Sequence, residues 1–173
     1  MIIYLQMIEG SENKAKFEQL YNEYHRLMYH IAYKITGSKY DAEDAVHEAF
    51  LKVAEHIKKI PAVSTDAKCL LCTIAENKAI DIARKNKLIS KLPLEEAEHL
   101  CGISANFVSE NNLSVFEGLP FLYSQVLWLK YGHGYNLKEI ADLLDQPLPK
   151  IQKINQRAKK KLEGLLRERE ASL

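Results

Sequence analysis

The stretch GYNLKEIADLLDQPLPKIQKINQRAKKKLEGL, Gly134–Leu165, decides how the chain is read. Its first part sets Leu137, Ile140, Ala141 and Leu144 at three- and four-residue steps, the period of one helix face. Asn136 stands at the start with Glu139 three residues on, the pairing of a capping box. Asp145-Gln146-Pro147 breaks the period, because Pro147 has no backbone donor and its ring would clash with the preceding turn. Pro149 suits the opening turn of a second helix, where the missing donor costs little. In that helix Ile151, Ile154, Ala158, Leu162 and Leu165 form an apolar stripe. Lys150, Lys153, Gln156, Arg157 and Lys160 lie largely around the other side. A short helix, a tight turn and a helix with a cationic, amide-bearing outer face suggest a helix-turn-helix. Its cations would neutralise phosphates and its amides could read base edges. A surface hairpin with a solvated basic face is the plainer alternative.

The rest of the chain is helical in the same way. With 173 residues, 47% hydrophobic and 27% charged, it has room for one domain or two small ones and an ordinary globular composition. Long helical periods and few alternating runs predict an all-α protein. The net charge is only +1, so a nucleic-acid partner must be argued from where the cations sit. Residues 11–36 predict one amphipathic helix, ended by Gly37, followed by a short connection through Tyr40. Residues 41–60 predict the next, with Asp41 as N-cap and Glu43 and Asp44 at the positive end of its dipole. Ala42, Val46, Ala49, Phe50, Val53 and Ile57 form its inward stripe. Asp44, His47, Glu48, Lys52 and Glu55 point elsewhere. This acidic outer face is either solvated capping charge or a docking face for a basic partner.

After a break at 61–66, where Ser64, Thr65 or Asp66 could cap, a helix is expected over 67–87. Asn77, Asp81, Arg84 and Lys85 recur at steps of three or four near its basic end. Residues 88–118 mix Pro, Gly, Ser, Asn and acids without a sustained period, which predicts a connector with one short helical turn near 94–100. A helix over 121–131 then leads through Gly132-His133-Gly134 into the opening stretch, and the tail from Glu168 is expected to fray. The domains expected are thus 1–90, a linker over 91–117, and 118–173.

Several classes of function are excluded or disfavoured. MIIYLQMI at the start is too short to span a bilayer and lacks a basic flank, so membrane insertion is not expected and the cytoplasm is the default location. Three cysteines give no disulfide framework. Cys69 and Cys72 form a CxxC with His99 and Cys101 not far off in sequence. The pair falls on an apolar helical segment, however, where i and i+3 share one face and small buried thiols are common, and no metal or cofactor is expected. No phosphate loop or nucleophile signature points to an enzyme.

The ordered set of motifs resembles the extracytoplasmic-function (ECF) group of bacterial sigma factors, in the sigma-70 family. The likeness rests on FEQLYNEY at 17–24, DAEDAVHEAFLKV at 41–53 and IAENKAIDIARK at 74–85. It continues in GLP at 118–120, LKEIADLL at 137–144 and RAKKKL at 157–162. The resemblance implies a dissociable subunit that binds core RNA polymerase and gives it promoter specificity. It assigns Asp41, Glu43, Asp44, His47, Glu48, Phe50 and Leu51 to docking on the clamp helices of the large polymerase subunit. It places Asn77, Asp81, Arg84 and Lys85 at the minus-ten promoter element, and loop 59–66 where a flipped base is held. Lys150, Gln152, Lys153, Gln156, Arg157 and Lys160 would meet the minus-thirty-five element in promoter DNA. An anti-sigma factor covering these faces is also implied. The chain departs from the family pattern at Ala54 and Leu70, where Trp is common, at Glu76, where a base is common, and at Asp145 and Pro147 in the turn. A stand-alone helix-turn-helix regulator, or a degenerate helical adaptor, are the alternatives; the acidic face of 41–53 argues against the first and the basic face of 150–161 against the second.

Overall fold

The computed structural model describes residues 1–86 and 118–171, all helices and short connections with no strand among them. The chain divides into two compact units, Met1–Leu92 and Pro93–Leu173. The connector expected over 88–118, with its turn near 94–100, lies outside the described residues except for Gly118.

In the first unit, α1 (Ile2–Met7), α2 (Ser11–Thr36), α3 (Lys39–Glu55) and α4 (Thr65–Lys85) follow one another. Helices α2, α3 and α4 pack pairwise around one core, and α1 lies on α3. Phe17, Leu20, Met28 and Ile31 of α2 meet Phe50 of α3 and Leu70, Leu71 and Ile74 of α4, all essentially without solvent contact. The periodic positions read from the sequence of α3 are the ones buried, including Ile57 just beyond its end.

The ends of these helices correct several expectations. Asp41 is not the cap of α3. Gly37 adopts a left-handed φ of 67° and its N–H closes on the Tyr33 carbonyl at 2.8 Å, so the chain reverses at once. Ser38 is then already extended, and its hydroxyl accepts from the Asp41 N–H at 3.3 Å. Helix α3 therefore starts at Lys39 and ends at Glu55 rather than Ile60. Ser64 caps α4 by accepting from the Ala67 N–H at 3.2 Å, and α4 ends at Lys85. Loop 56–64 is tied back to α2 at two carbonyls: Lys16 donates to that of Ile60, and the Tyr24 hydroxyl to that of Ser64, both at 3.0 Å.

The second unit contains α5 (Phe121–Leu127), running directly into a π-helical turn at Trp128–Gly132, then α6 (Leu137–Leu143) and α7 (Leu148–Ala171). The wide turn is closed by the His133 N–H on the Trp128 carbonyl at 3.2 Å, and the Trp128 ring meets His133 edge-on. Asn136 and Glu139 form the expected capping box, with bonds of 2.9 and 3.0 Å. Helix α7 continues to Ala171, past the expected fraying point at Glu168. Ile140, Leu143 and Leu144 close over Ile151, Ile154 and Ala158, with Val126, Leu127 and Leu129 completing the core.

The turn between α6 and α7 is a Schellman motif. The Gln146 N–H bonds to the Ala141 carbonyl at 2.8 Å and the Asp145 N–H to that of Asp142 at 3.2 Å. The motif needs a left-handed residue, and Asp145 supplies it at φ 52°, the one non-glycine with positive φ among the described residues.

Candidate nucleic-acid and protein interfaces

Three helix faces carry the residues singled out by sequence. On α3, the side opposite the buried stripe holds exposed Glu43, Asp44 and His47, with Asp41, Glu48 and Leu51 half-buried. Phe50 is on the other side, 0% exposed, with its ring 5.8 Å from Phe17 and 4.7 Å from Tyr21. It holds the domain together rather than presenting itself to a partner. Glu48 is engaged within the unit. Its carboxylate takes a 3.1 Å hydrogen bond from the ammonium of Lys78, which is buried on α4. A cation so placed needs its partner. His47 is also engaged: its Nδ1 lies 2.6 Å from the Tyr4 hydroxyl of α1.

Near the end of α4, Asn77, Asp81 and Arg84 are half-buried along one stripe and Lys85 is exposed. Asn77 donates to the Thr73 carbonyl at 3.0 Å, which fixes its amide, and Arg84 stands 4.0 Å from Asp81. Arg84 and Lys85 thus offer the cations of this face. Three of the five positions where the family pattern has other residues are interior here: Ala54 is 3% exposed, Leu70 1% and Glu76 1%, whereas Asp145 and Pro147 are exposed. The CxxC pair is interior too. Cys69 and Cys72 are buried, and burial, with Cys69 adding to it, pushes the Cys72 thiol up to about 12. At neutral pH that thiol keeps its proton and is a poor nucleophile. His99 and Cys101 lie outside the described residues, and among the described ones no cluster of three His, Cys, Asp or Glu could hold a metal.

On α7 the buried side is Ile151, Ile154, Asn155 and Ala158. Gln152, Lys153, Gln156, Arg157 and Lys160 are all exposed, around the opposite face. Lys150 stands apart from them: it is half-buried, and its ammonium bonds to the Gln146 side chain across the turn. The outward amides are therefore those of Gln152 and Gln156, whereas Asn155 is interior. Lys159, also exposed, lies over the Tyr131 ring at 5.3 Å, and Lys130 flanks the same ring at 5.7 Å.

An acidic outer face on one three-helix core, and a basic outer face on the second helix of a helix-turn-helix, are two surfaces of opposite sign. Residues 20–89 match the family described as Sigma-70 region 2, and residues 113–162 match that described as Sigma-70, region 4. The chain belongs to the sigma-70 family of sigma factors. Its pair of regions, with a region 4 of the kind typical there, puts it in the ECF group. No curated protein matches the chain. As a sigma factor it binds core RNA polymerase and promoter DNA and directs promoter-specific transcription initiation. Such proteins are non-enzymatic transcription factors. Among the described residues no helix is long and apolar enough to cross a membrane.

Sequence reasoning missed the Tyr4–His47 and Glu48–Lys78 partnerships. Each joins residues far apart in the chain, and neither leaves a periodic signal.

Proposed function

We propose that the outward acids of α3 dock on the clamp helices of the large polymerase subunit, that the end of α4 and loop 59–66 engage the minus-ten element, and that α7 enters the major groove at the minus-thirty-five element. The observation that carries this reading is the segregation of charge on α3. Glu43 and Asp44 are exposed together, opposite a stripe buried to the last residue. Such a face attracts a basic partner and fixes its register. Asp41, His47, Glu48 and Leu51 border it, and Phe50 supports it from inside.

Segment 59–66, a loop through Ser64 and then the first residues of α4, suits base capture because two tied carbonyls hold the loop while Ala62 and Val63 stay exposed. A base drawn out of a melted strand needs such a preformed rim. Asn77, Asp81, Arg84 and Lys85 line the adjoining helix in sequence. On α7, Gln152 and Gln156 would read base edges, while Lys153, Arg157 and Lys160 meet phosphates, with Lys150 at the margin. The functional domains are then 1–90 and 118–173, with 91–117 as the tether. An anti-sigma factor that covers the acidic and basic faces would hold the protein inactive in the cytoplasm.

Reversing Glu43 and Asp44 to Lys tests the docking. Both are exposed and neither supports Lys78, so helicity by circular dichroism should be unchanged. Affinity for core polymerase in a titration should fall at least about tenfold. Unchanged affinity would remove α3 from the interface.

A further inference from the structure

Helix α1 is built the wrong way round for a surface helix. Its inner side holds Tyr4, 6% exposed, and the chain beyond it buries Ile8 to 3%. Its outer side is apolar as well: Ile2 is 74% exposed, Ile3 61%, Met7 45% and the preceding Met1 44%. Four of the nine large apolar side chains that stand exposed among the described residues therefore sit on this one segment. That concentration is a patch rather than ordinary scatter. Gln6 apart, the exposed side chains of this helix are all apolar, and a helix with so little polar surface is one that expects to be covered. Helix α1 carries no charge, and it lies outside the residues matched to region 2.

Its seat is specific. Six residues are far too few for a helix to persist alone. Tyr4 anchors this one in a ring cluster with Phe17 at 5.4 Å, Tyr21 at 6.1 Å and Phe50 at 6.2 Å. Its hydroxyl reaches His47 on α3, and past Ile8 the Glu9 carboxylate lies 3.7 Å from the Lys58 ammonium. His47 stands one turn from Glu43 and Asp44 on the outward side of α3. Helix α1 is thus joined to the outward side of α3 through the Tyr4–His47 contact.

We propose that Ile2, Ile3 and Met7 form an apolar docking ridge for core RNA polymerase, continuous with the acidic face of α3. This rests on the assignment of that face to polymerase docking. Size chooses the occupant. A stable stand-alone interface buries about 800 Å² on each partner. A single six-residue helix cannot supply that to a second copy of the chain, but it can extend a larger interface beside it. The partner surface it fits is an apolar patch flanking the basic one that receives Glu43 and Asp44. Removing the outer side chains raises the dissociation rate, since short-range packing acts after encounter.

The test uses the full chain with Ile2, Ile3 and Met7 all changed to Ser, leaving Tyr4 and Ile8 in place. Melting temperature should hold, because the three side chains are exposed. Affinity for core polymerase should fall about tenfold, through dissociation. Glu43→Lys with Asp44→Lys is run beside it. Weak binding by that double variant with full affinity in the triple overturns the ridge and leaves α3 docking intact. Full affinity in the double variant removes α3 docking, and with it the neighbour that names polymerase. Position is read separately with Ile3→Cys in a Cys101→Ser background, where Cys69 and Cys72 are buried. Alkylation of the new thiol should slow at least about tenfold on core binding, as a desolvated hot spot requires; an unchanged rate overturns the proposal. Sedimentation showing a dimer of the native chain that the triple variant dissolves would also overturn it, in favour of a self-association seam.

Discussion

Two residues carry conformational and protonic costs that can be measured. Asp145 holds the left-handed position of the Schellman turn at φ 52°. An L side chain there costs about 1–2 kcal/mol, less for Asp, whose short polar group can bond locally. Glycine pays nothing sterically and alanine has neither escape. Asp145→Ala should therefore be less stable than Asp145→Gly by about 1 kcal/mol in thermal or urea unfolding. Equal stability of the two would mean that the turn relaxes to another conformation. His25 makes the second case. Burial, and then the neighbouring Arg26 cation, hold its imidazole below the ordinary 6.5, against a weaker opposing pull from Glu43. Its ring is packed 4.8 Å from Tyr21 and 6.1 Å from Phe50, inside the cluster that seats α1. The unfolded chain takes up this proton more readily than the folded one. Stability is thus full above about pH 6.5 and is lost as pH falls from there through the depressed folded value. His25→Gln should lose less of its urea midpoint than the native chain between about pH 7 and pH 5. Parallel loss in both would show that other groups govern the acid limb.

Elements were legible in the sequence where one face is buried and the other wet, because that contrast imposes a period of 3.6. The stripe Ala42, Val46, Ala49, Phe50, Val53 is interior in full, whereas of the α7 stripe Ile151, Ile154 and Ala158 are interior and Leu162 and Leu165 half-buried. The capping box at Asn136 was equally plain, since both of its partners lie within one turn. Helix α1 left no such mark: with apolar residues on both sides it has no period, and only Tyr4 among distant rings shows why it forms. The start of α3 was misread for a related reason. Asp41, in DAED, looks like a cap, but the left-handed Gly37 lets Ser38 take that place first. Which positions of α3 and α7 face outward was legible from the period, Lys150 excepted; Phe50, assigned to docking by resemblance, is interior as its place in the stripe required. The internal engagement of Glu48 by Lys78 and of Lys150 by Gln146 was not legible, because side-chain pairing depends on the packed geometry. For α7 the geometry makes a quantitative statement. Lys153 and Arg157 are exposed on its outer face among Gln152, Gln156 and Lys160. Each cation that neutralises a phosphate contributes about 0.9 to the slope of log affinity against log salt. Changing both to Ala should flatten that slope for duplex promoter DNA by about 1.8, measured by anisotropy across a salt series. A weaker but equally steep dependence would mean that these side chains do not meet phosphate.

At the scale of the molecule, the division of labour follows from charge. A net charge of +1, from 24 bases against 23 acids over the whole chain, provides no general attraction to DNA; the acids of α3 and the bases of α7 act as separate surfaces within that sum. Binding must then be local and multiple. Each promoter grip can be weak, since holding one element raises the effective concentration of the other grip, often into the millimolar range for short tethers. The same logic predicts how the grips depend on one another. On a promoter fragment with both elements, Lys153→Ala with Arg157→Ala should lower run-off transcription by core polymerase several-fold. On a fragment whose minus-thirty-five element is scrambled, the native protein already lacks that grip, so the same variant should cost little more. If Arg84 and Lys85 engage the minus-ten element as proposed, Arg84→Ala with Lys85→Ala should lower run-off on both fragments alike. The native and double-variant chains, compared on the two fragments at one salt concentration, separate these cases. If the α7 variant loses as much on the scrambled fragment as on the intact one, its cations serve general DNA attraction and α7 is not the reader of the upstream element.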